Sequence, residues 1–390
     1  MIHRTLGQKL VDLFGKFPIV SVLGPRQSGK TTLVQKTFPD LAYVNMEDPV
    51  QRENAAIDPR SFLERYSDGL IIDEAQKVPE LFSYLQLYAD QKDRPGLYIL
   101  TGSQQFLLNE KISQSLAGRV AITTLLPLTY RELIRENLQI VDVHSLIFQG
   151  FYPRIYRYNI EPKDFYPGYL QTYVERDVRQ IKNITNLTLF QKFIKLCAGR
   201  VGQLLNISSL ANDCGVSQFT AKQWLSLLEM SFIVYLQQPY YRNFGKRLVK
   251  APKLYFYDTG LACYLLNIAS SQQLQDHYAK GSLFENLIVN ELQKQFFNRG
   301  LQPLLYFWRD KVGHEIDIIV EGSNDQLIPI EIKSGKTINK DFFKNLEYWK
   351  TFTKQAGKAY LVYGGAEDMV RKSTTILSWQ NFHINQILNA

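Results

Sequence analysis

Short apolar runs punctuate the first hundred residues: Ile19-Val20-Ser21-Val22-Leu23, Leu70-Ile71-Ile72 and Leu97-Tyr98-Ile99-Leu100. Runs this short and without alternation predict strands buried on both faces, as in a parallel sheet. Thr32-Leu33-Val34 opens a helix behind the first of them, so the order strand, loop, helix predicts a doubly wound α/β unit. The pattern changes after residue 200. Residues 207–217 followed by 218–230 read as a helix, a turn at Gly215, an N-cap at Ser217 and a second helix, which is a helix-turn-helix. Phe219, Trp224, Leu225, Leu227 and Leu228 predict the core side of that second helix, leaving Gln218, Thr220, Lys222 and Gln223 for a groove. A strand over 232–236 follows. Farther on, Phe284, Ile288, Leu292 and Phe296 form a helical stripe, and residues 315–320 and 327–333 alternate with period two around a polar loop, which predicts a hairpin. Alternation sets Asp317 on one face of its strand and Glu331 with Lys333 on one face of theirs, while Ile318, Ile330 and Ile332 turn to the core.

Chemistry enters at the loop after the first strand. Gly24-Pro25-Arg26-Gln27-Ser28-Gly29-Lys30-Thr31 fits G-x-x-x-x-G-K-[ST] at every fixed position, so Gly24 through Thr32 are the candidate nucleotide-binding residues. Two glycines let the backbone curl around phosphate, where amide N–H groups and the helix end stabilise the anion. Lys30 is expected to reach the β and γ phosphates of ATP, and Thr31 to ligate Mg²⁺. Asp73 and Glu74 end the second apolar strand, where Asp73 would hold Mg²⁺ through water and Glu74 would orient the attacking water. The third strand ends in Thr101-Gly102-Ser103-Gln104, with Ser103 or Gln104 as γ-phosphate sensor. Binding alone needs no Glu74; its presence points to hydrolysis.

The net charge of +8 sharpens the picture only when divided along the chain. Residues 1–150 carry 16 Lys/Arg and 17 Asp/Glu, residues 151–280 carry 16 and 8, and residues 281–390 carry 13 and 12. The whole excess sits in the middle, as the footprint of a polyanion partner would. Within it, residues 240–253 hold five cations, Arg242, Lys246, Arg247, Lys250 and Lys253, with three aromatics and no acid. That stretch reads as a wing gripping DNA phosphates and stacking on bases, and the competing reading is a solvated basic face. Three cysteines without metal-ligand spacing read as reduced thiols. No membrane span or signal peptide is apparent, so a cytosolic location is expected.

Glu285 borders the C-terminal helical stripe, where it can lean toward Asp317, Glu331 and Lys333. Glu, Asp and Glu-x-Lys form a restriction-endonuclease-like arrangement, in which Asp317 and Glu331 would bind Mg²⁺ and Lys333 would offset charge on a phosphate. The alternative is a solvent-facing hairpin with incidental acids.

Taken end to end, the chain resembles a family of bacterial and archaeal AAA-type ATPases joined to a C-terminal domain of unknown function. The resemblance rests on the phosphate loop, Tyr43-Val44-Asn45-Met46-Glu47-Asp48, Asp73-Glu74-Ala75-Gln76, Thr101-Gly102-Ser103 and Ser115-Leu116-Ala117-Gly118-Arg119. In the second half it rests on Tyr173-Val174-Glu175-Arg176-Asp177-Val178, on Lys253-Leu254-Tyr255-Phe256-Tyr257-Asp258-Thr259-Gly260-Leu261 and on the hairpin. It implies an α/β chain in three parts: an AAA-type ATPase domain over 1–145, a helical lid and winged helix over 146–280, and a restriction-endonuclease-like domain over 281–390. It also implies that Arg119 is an arginine finger or γ-phosphate sensor, within one subunit or across an interface, with Arg176 and Arg179 competing for that role. One departure is Ile316 where the usual pattern has proline before Asp317. The resulting expectation is a Mg²⁺-dependent, homo-oligomeric ATPase acting on single-stranded or branched DNA, with either a metal-dependent nuclease domain or an inert nuclease-like one under ATP control.

Overall fold

The computed structural model describes residues 2–102, 112, 115–137, 140, 142–173, 184, 186–240, 250–322, 326–353 and 357–388. The expected sites at Ser103, Gln104, Arg176, Arg179, Arg242, Lys246 and Arg247 lie outside these described residues.

Five strands, β1 (Ile19–Leu23), β2 (Ala42–Asn45), β3 (Leu70–Asp73), β4 (Tyr98–Thr101) and β5 (Val120–Thr124), form a sheet in the order β2-β3-β4-β1-β5. Every pairing is parallel, so all five carboxyl ends lie along one edge. Burial of β1, β3 and β4 on both faces explains their unbroken apolar runs. One face packs on the helix Lys30–Thr37 through Leu33 and Val34; the other packs on Leu81–Lys92 through Leu81, Phe82 and Leu85.

Helices Ile207–Cys214 and Gln218–Met230 flank Gly215, whose φ of +84° makes the turn. Asn206 caps the first, and the Ser217 hydroxyl accepts the Thr220 N–H to cap the second. Phe219 departs from expectation. It is 70% exposed at the start of the second helix, whereas Ala221, Trp224, Leu225, Leu227 and Leu228 are buried. Phe219 lies on the face shared by exposed Lys222 and Ser226, whereas Trp224, about 140° round the helix, packs against Phe190 and Phe193.

Strands β6 (Val234–Pro239), β7 (Lys253–Phe256), β8 (Leu305–Arg309), β9 (Glu315–Glu321), β10 (Leu327–Lys333), β11 (Ala359–Tyr363), β12 (Met369–Arg371) and β13 (Thr374–Ser378) make one mixed sheet, ordered β12-β13-β11-β10-β9-β8-β6-β7. β6 and β7 pair antiparallel after the helix-turn-helix, as a wing would, but the end of β6 also pairs with β8. The base of the hairpin is therefore part of the C-terminal sheet. A boundary at 280/281 divides that sheet and a core that runs without interruption from Leu128 to Ile387. The helix Lys280–Phe297 ties this core to the first half, since Glu291 accepts the Tyr130 N–H at 2.9 Å and Lys294 donates to the Leu128 carbonyl at 2.8 Å. Cys197, Cys214 and Cys263 are buried thiols. Among the described residues no helix is long and apolar enough to cross a membrane.

Candidate functional site

The loop leaving β1 turns through Gly24 at φ +146°, Gln27 at +62° and Gly29 at +93°. Gly24 cannot be replaced without movement, because a Cβ there would lie 2.1 Å from the Leu125 carbonyl oxygen. The helix Lys30–Thr37 starts directly behind, with no side chain capping its first amides. A helix end of this kind, wrapped by a glycine loop, favours an anion. Ser28 Oγ, buried in the loop, has no hydrogen-bond partner among the described residues. From behind, Arg4 donates to the Ser28 carbonyl at 2.6 Å and the Leu126 carbonyl at 2.5 Å and pairs with buried Glu132 at 3.2 Å.

Lys30 Nζ donates to the carbonyls of Gly24 and Pro25, both at 2.8 Å. Burial lowers its pKa to about 8 even though Glu74 and Asp73 act the other way. Asp73, at the end of β3, gathers three hydroxyls: Thr31 donates to Oδ2 at 2.8 Å, Tyr43 to Oδ2 at 2.7 Å, and Thr101 to Oδ1. Parallel pairing of β2, β3 and β4 brings these donors to one point from positions far apart in the chain. Glu74 follows at φ +54°, a left-handed backbone that costs a non-glycine residue about 1–2 kcal/mol and marks a position fixed by its surroundings. Its Oε2 accepts from Gln76 at 2.6 Å. The residues present fit ATP with Mg²⁺: a glycine cradle, a buried lysine, and a threonine beside a buried aspartate.

A cavity of about 430 Å³ opens over this loop, in the range of small-molecule sites. Gln27, Gly29, Lys30, Thr31, Thr32 and Glu74 line it together with Pro153, Arg154, Arg157 and Tyr158 from the helix Pro153–Tyr158. The place of this helix was not legible in the sequence, since nothing in the spacing links residues 153–158 to the loop. Its position is fixed from below: Asp258 accepts from the Phe151 N–H and Tyr166 hydroxyl at 2.7 Å and from the Leu261 N–H at 2.8 Å. Gly150 is required there, as a Cβ would approach Tyr166 Oη to 2.0 Å.

Arg119 is not in this site. It precedes β5, whose first residue pairs with Ile19 at the start of β1, whereas the phosphate loop follows the other end of β1. Five residues of strand separate the two by about 16 Å. The guanidinium instead pairs with Asp90 at 2.5 and 2.9 Å. In this arrangement Arg119 does not reach the phosphate loop of its own chain.

The C-terminal acids converge, with two corrections. Tyr306 pairs with Ile319 and Trp308 with Ile316, so three steps along β9 face two along β8. The bulge displaces Ile316, but the expected faces hold beyond it: Ile318, Ile330 and Ile332 share one core, and Lys333 lies 2.5 Å from Glu331 and 3.9 Å from Asp317. Ile316 and Ile319 share a core with Trp308 and Trp349, whereas Ile318 and Val320 join the other core. Asp317 falls inside the bulge, where its Oδ2 accepts the Ile332 N–H at 2.7 Å. The carboxylates that approach within 4.8 Å of one another are Glu285, Glu315 and Asp317. Glu331 is not among them: its Oε1 is held by Lys333 at 2.5 Å and Asn345 at 3.2 Å, and burial with Asp317 nearby pushes its pKa up to about 8. Glu315 was overlooked, although its place two residues before Asp317 was a usable signal.

The second correction concerns Lys253, expected on a DNA-facing wing. It is 2% exposed, with Nζ 2.8 Å from Glu285, 2.5 Å from Glu315 and 3.8 Å from Asp317. Burial alone would lower its pKa, but these carboxylates outweigh it and raise it. Lys222 and Lys250 are exposed.

Over 324 residues, 82% of this chain and 71% of the counterpart, the sequence is 32% identical to an uncharacterized protein of Mycobacterium tuberculosis. The chain belongs to that protein's family. An uncharacterized protein of Methanocaldococcus jannaschii is 25% identical over 377 residues, 87% of this chain and 79% of its own length. Residues 16–134 match the AAA domain family, so this part of the chain is an AAA-type ATPase domain. Residues 140–272 and 280–382 match two domains of unknown function, DUF8612 and DUF4143. Among solved structures, the Walker-type ATPase of Pyrococcus abyssi aligns with TM-score 0.45 and 15% identity over 68% of this chain and 96% of that one. AMPPCP-bound DnaA of Aquifex aeolicus aligns with TM-score 0.30 and 12% identity over 57% and 85%.

Proposed function

We propose that this AAA-domain protein binds ATP with Mg²⁺ at the phosphate loop, hydrolyses it with Glu74, and uses the cycle to change its hold on DNA. The observation that carries the ATPase part is the convergence of Lys30, Thr31, Asp73 and Glu74 at one edge of the parallel sheet, beside a cavity also lined by Arg154 and Arg157. Thr31 and Asp73 would hold the ion, which neutralises phosphate charge when bound. Lys30 exchanges its two carbonyl partners for phosphate oxygens, and Glu74, held by Gln76, orients water. Arg154 and Arg157 line the same cavity and would add cations toward a bound phosphate.

The DNA part is supported by the charge excess of the middle segment and by the helix Gln218–Met230, whose first turns expose Gln218, Phe219 and Lys222. Lys222, Lys250 and the cations at 242, 246 and 247 are the proposed phosphate contacts. Arg119 is proposed to act on a neighbouring copy. No cleavage is assigned to the C-terminal cluster, because Lys253 already lies against its acids; this favours the inert nuclease-like alternative.

ATP turnover measured with and without single-stranded, duplex and branched DNA tests the reading. Lys30→Ala should lose nucleotide binding, and Glu74→Gln should keep binding while turnover falls by about 10²–10⁴-fold. Parental turnover in Glu74→Gln would sink the catalytic assignment; turnover and nucleotide affinity indifferent to every DNA would sink the coupling.

A further inference from the structure

The restriction-endonuclease-like arrangement puts the divalent ion on Asp317 and Glu331, but the carboxylates that converge are Glu285, Glu315 and Asp317, and the geometry tests whether an ion fits among these three. Mg²⁺ demands oxygens at about 2.0–2.1 Å in near-octahedral array. The point that faces all three carboxylates is where Lys253 Nζ lies, 2.8 Å from Glu285 Oε1 and 2.5 Å from Glu315 Oε1. An ion bound to the same oxygens would sit within contact distance of an ammonium that is itself buried. Two of the remaining oxygens are also engaged: Glu315 Oε2 pairs with Arg309 at 2.8 Å and Asp317 Oδ2 takes the Ile332 N–H at 2.7 Å. The Tyr255 hydroxyl donates to Glu285 Oε1, the oxygen Lys253 already holds.

Charge gives the same answer. Glu285, Glu315, Asp317 and Glu331 face Lys253, Lys333 and Arg309, so the cluster is within one charge of balance before any ion enters. Lys253 also cannot drift away easily. It begins β7, whose pairing with β6 places Gln237 opposite Lys253, and Gln237 Nε2 donates to the Asp317 carbonyl at 3.3 Å. The ammonium lies 5.5 Å from the Phe307 ring, which adds a weak attraction.

We propose that Lys253 is the resident cation of the C-terminal carboxylate cluster and excludes divalent metal from it. The acids then serve to lock β7, and through it the helix-turn-helix, onto the C-terminal sheet. The cluster is closed to metal for as long as β7 keeps its register with β6. This is independent of the ATPase reading, because it concerns a different domain and requires no nucleotide.

The test is a Mn²⁺ titration of the full chain without nucleotide, following loss of the free-ion electron paramagnetic resonance signal. The parent and Glu315→Gln should titrate alike up to about 1 mM. Lys253→Ala should gain one ion, bound at least about tenfold more tightly than anything in the parent, and adding Asp317→Asn should abolish it. A parental Mn²⁺ site lost on Glu315→Gln or Asp317→Asn overturns the proposal, as does a folded Lys253→Ala protein that gains no ion. Should Lys253→Ala not fold, the comparison of the parent with Glu315→Gln and Asp317→Asn decides alone.

Discussion

Asp258 offers the sharpest test of how the nucleotide cavity is held to the rest of the chain. Its carboxylate is 1% exposed and satisfies three buried donors on three separate segments: the Phe151 N–H, the Tyr166 hydroxyl and the Leu261 N–H. Asp258→Ala leaves the Phe151 and Leu261 N–H groups without an acceptor, while the Tyr166 hydroxyl keeps the Gln149 carbonyl at 3.0 Å. At about 1–3 kcal/mol for each orphaned buried group, the loss is about 2–6 kcal/mol. Asp258→Asn keeps one oxygen for Tyr166 and Leu261 but turns an amide N–H₂ toward the Phe151 N–H, so its cost is about 1–3 kcal/mol. Both values are large against a typical stability of about 5–15 kcal/mol. Urea denaturation followed by circular dichroism gives the midpoints. Because Phe151 leads into Pro153, Arg154 and Arg157, ATP affinity measured well below the transition should also weaken in Asp258→Asn. An Asp258→Ala protein within about 0.5 kcal/mol of the parent would refute the reasoning.

Other consequences are smaller in scope. Arg119→Ala should leave ATP affinity within about twofold of the parent in dilute protein, and should slow turnover only at concentrations where turnover per chain rises with protein concentration; a rate loss in isolated monomers would contradict the placement beside Asp90. Burial pushes Glu229 up to about 7, so the folded state favours its neutral form. Stability should therefore be full below about pH 4.5, fall as pH rises toward 7 by about 1–3 kcal/mol, and lose that component of its pH dependence in Glu229→Gln, as read from denaturation midpoints across pH. Lys222→Glu should weaken DNA binding and make the log-log salt slope shallower by about 0.9 per lost phosphate contact on duplex DNA, and an unchanged slope would remove Lys222 from the interface.

How much of this was legible in the sequence follows from how local each signal is. The phosphate loop, the apolar strands, the cap at Ser217 and the turn at Gly215 depend on neighbours a few residues away, so the chain by itself determined them. Asp73 and Glu74 were legible for the same reason, since a parallel strand delivers its last residues to a known edge. Arg119, Lys253 and Phe219 were not. A cation in a basic stretch reads as a phosphate contact until β7 carries it to acids 32, 62 and 64 positions later in the chain. Phe219 reads as core until the packing of the helix leaves its face, with Lys222 and Ser226, toward solvent. Arg119 reads as a finger until strand pairing sets it at the far end of β1. The bulge at Asp317 likewise arises from pairing with β8, and no alternation within β9 announces it. Contacts between segments distant in sequence are decided by which backbones pair and which volumes fill, and those terms exist only once the chain has folded.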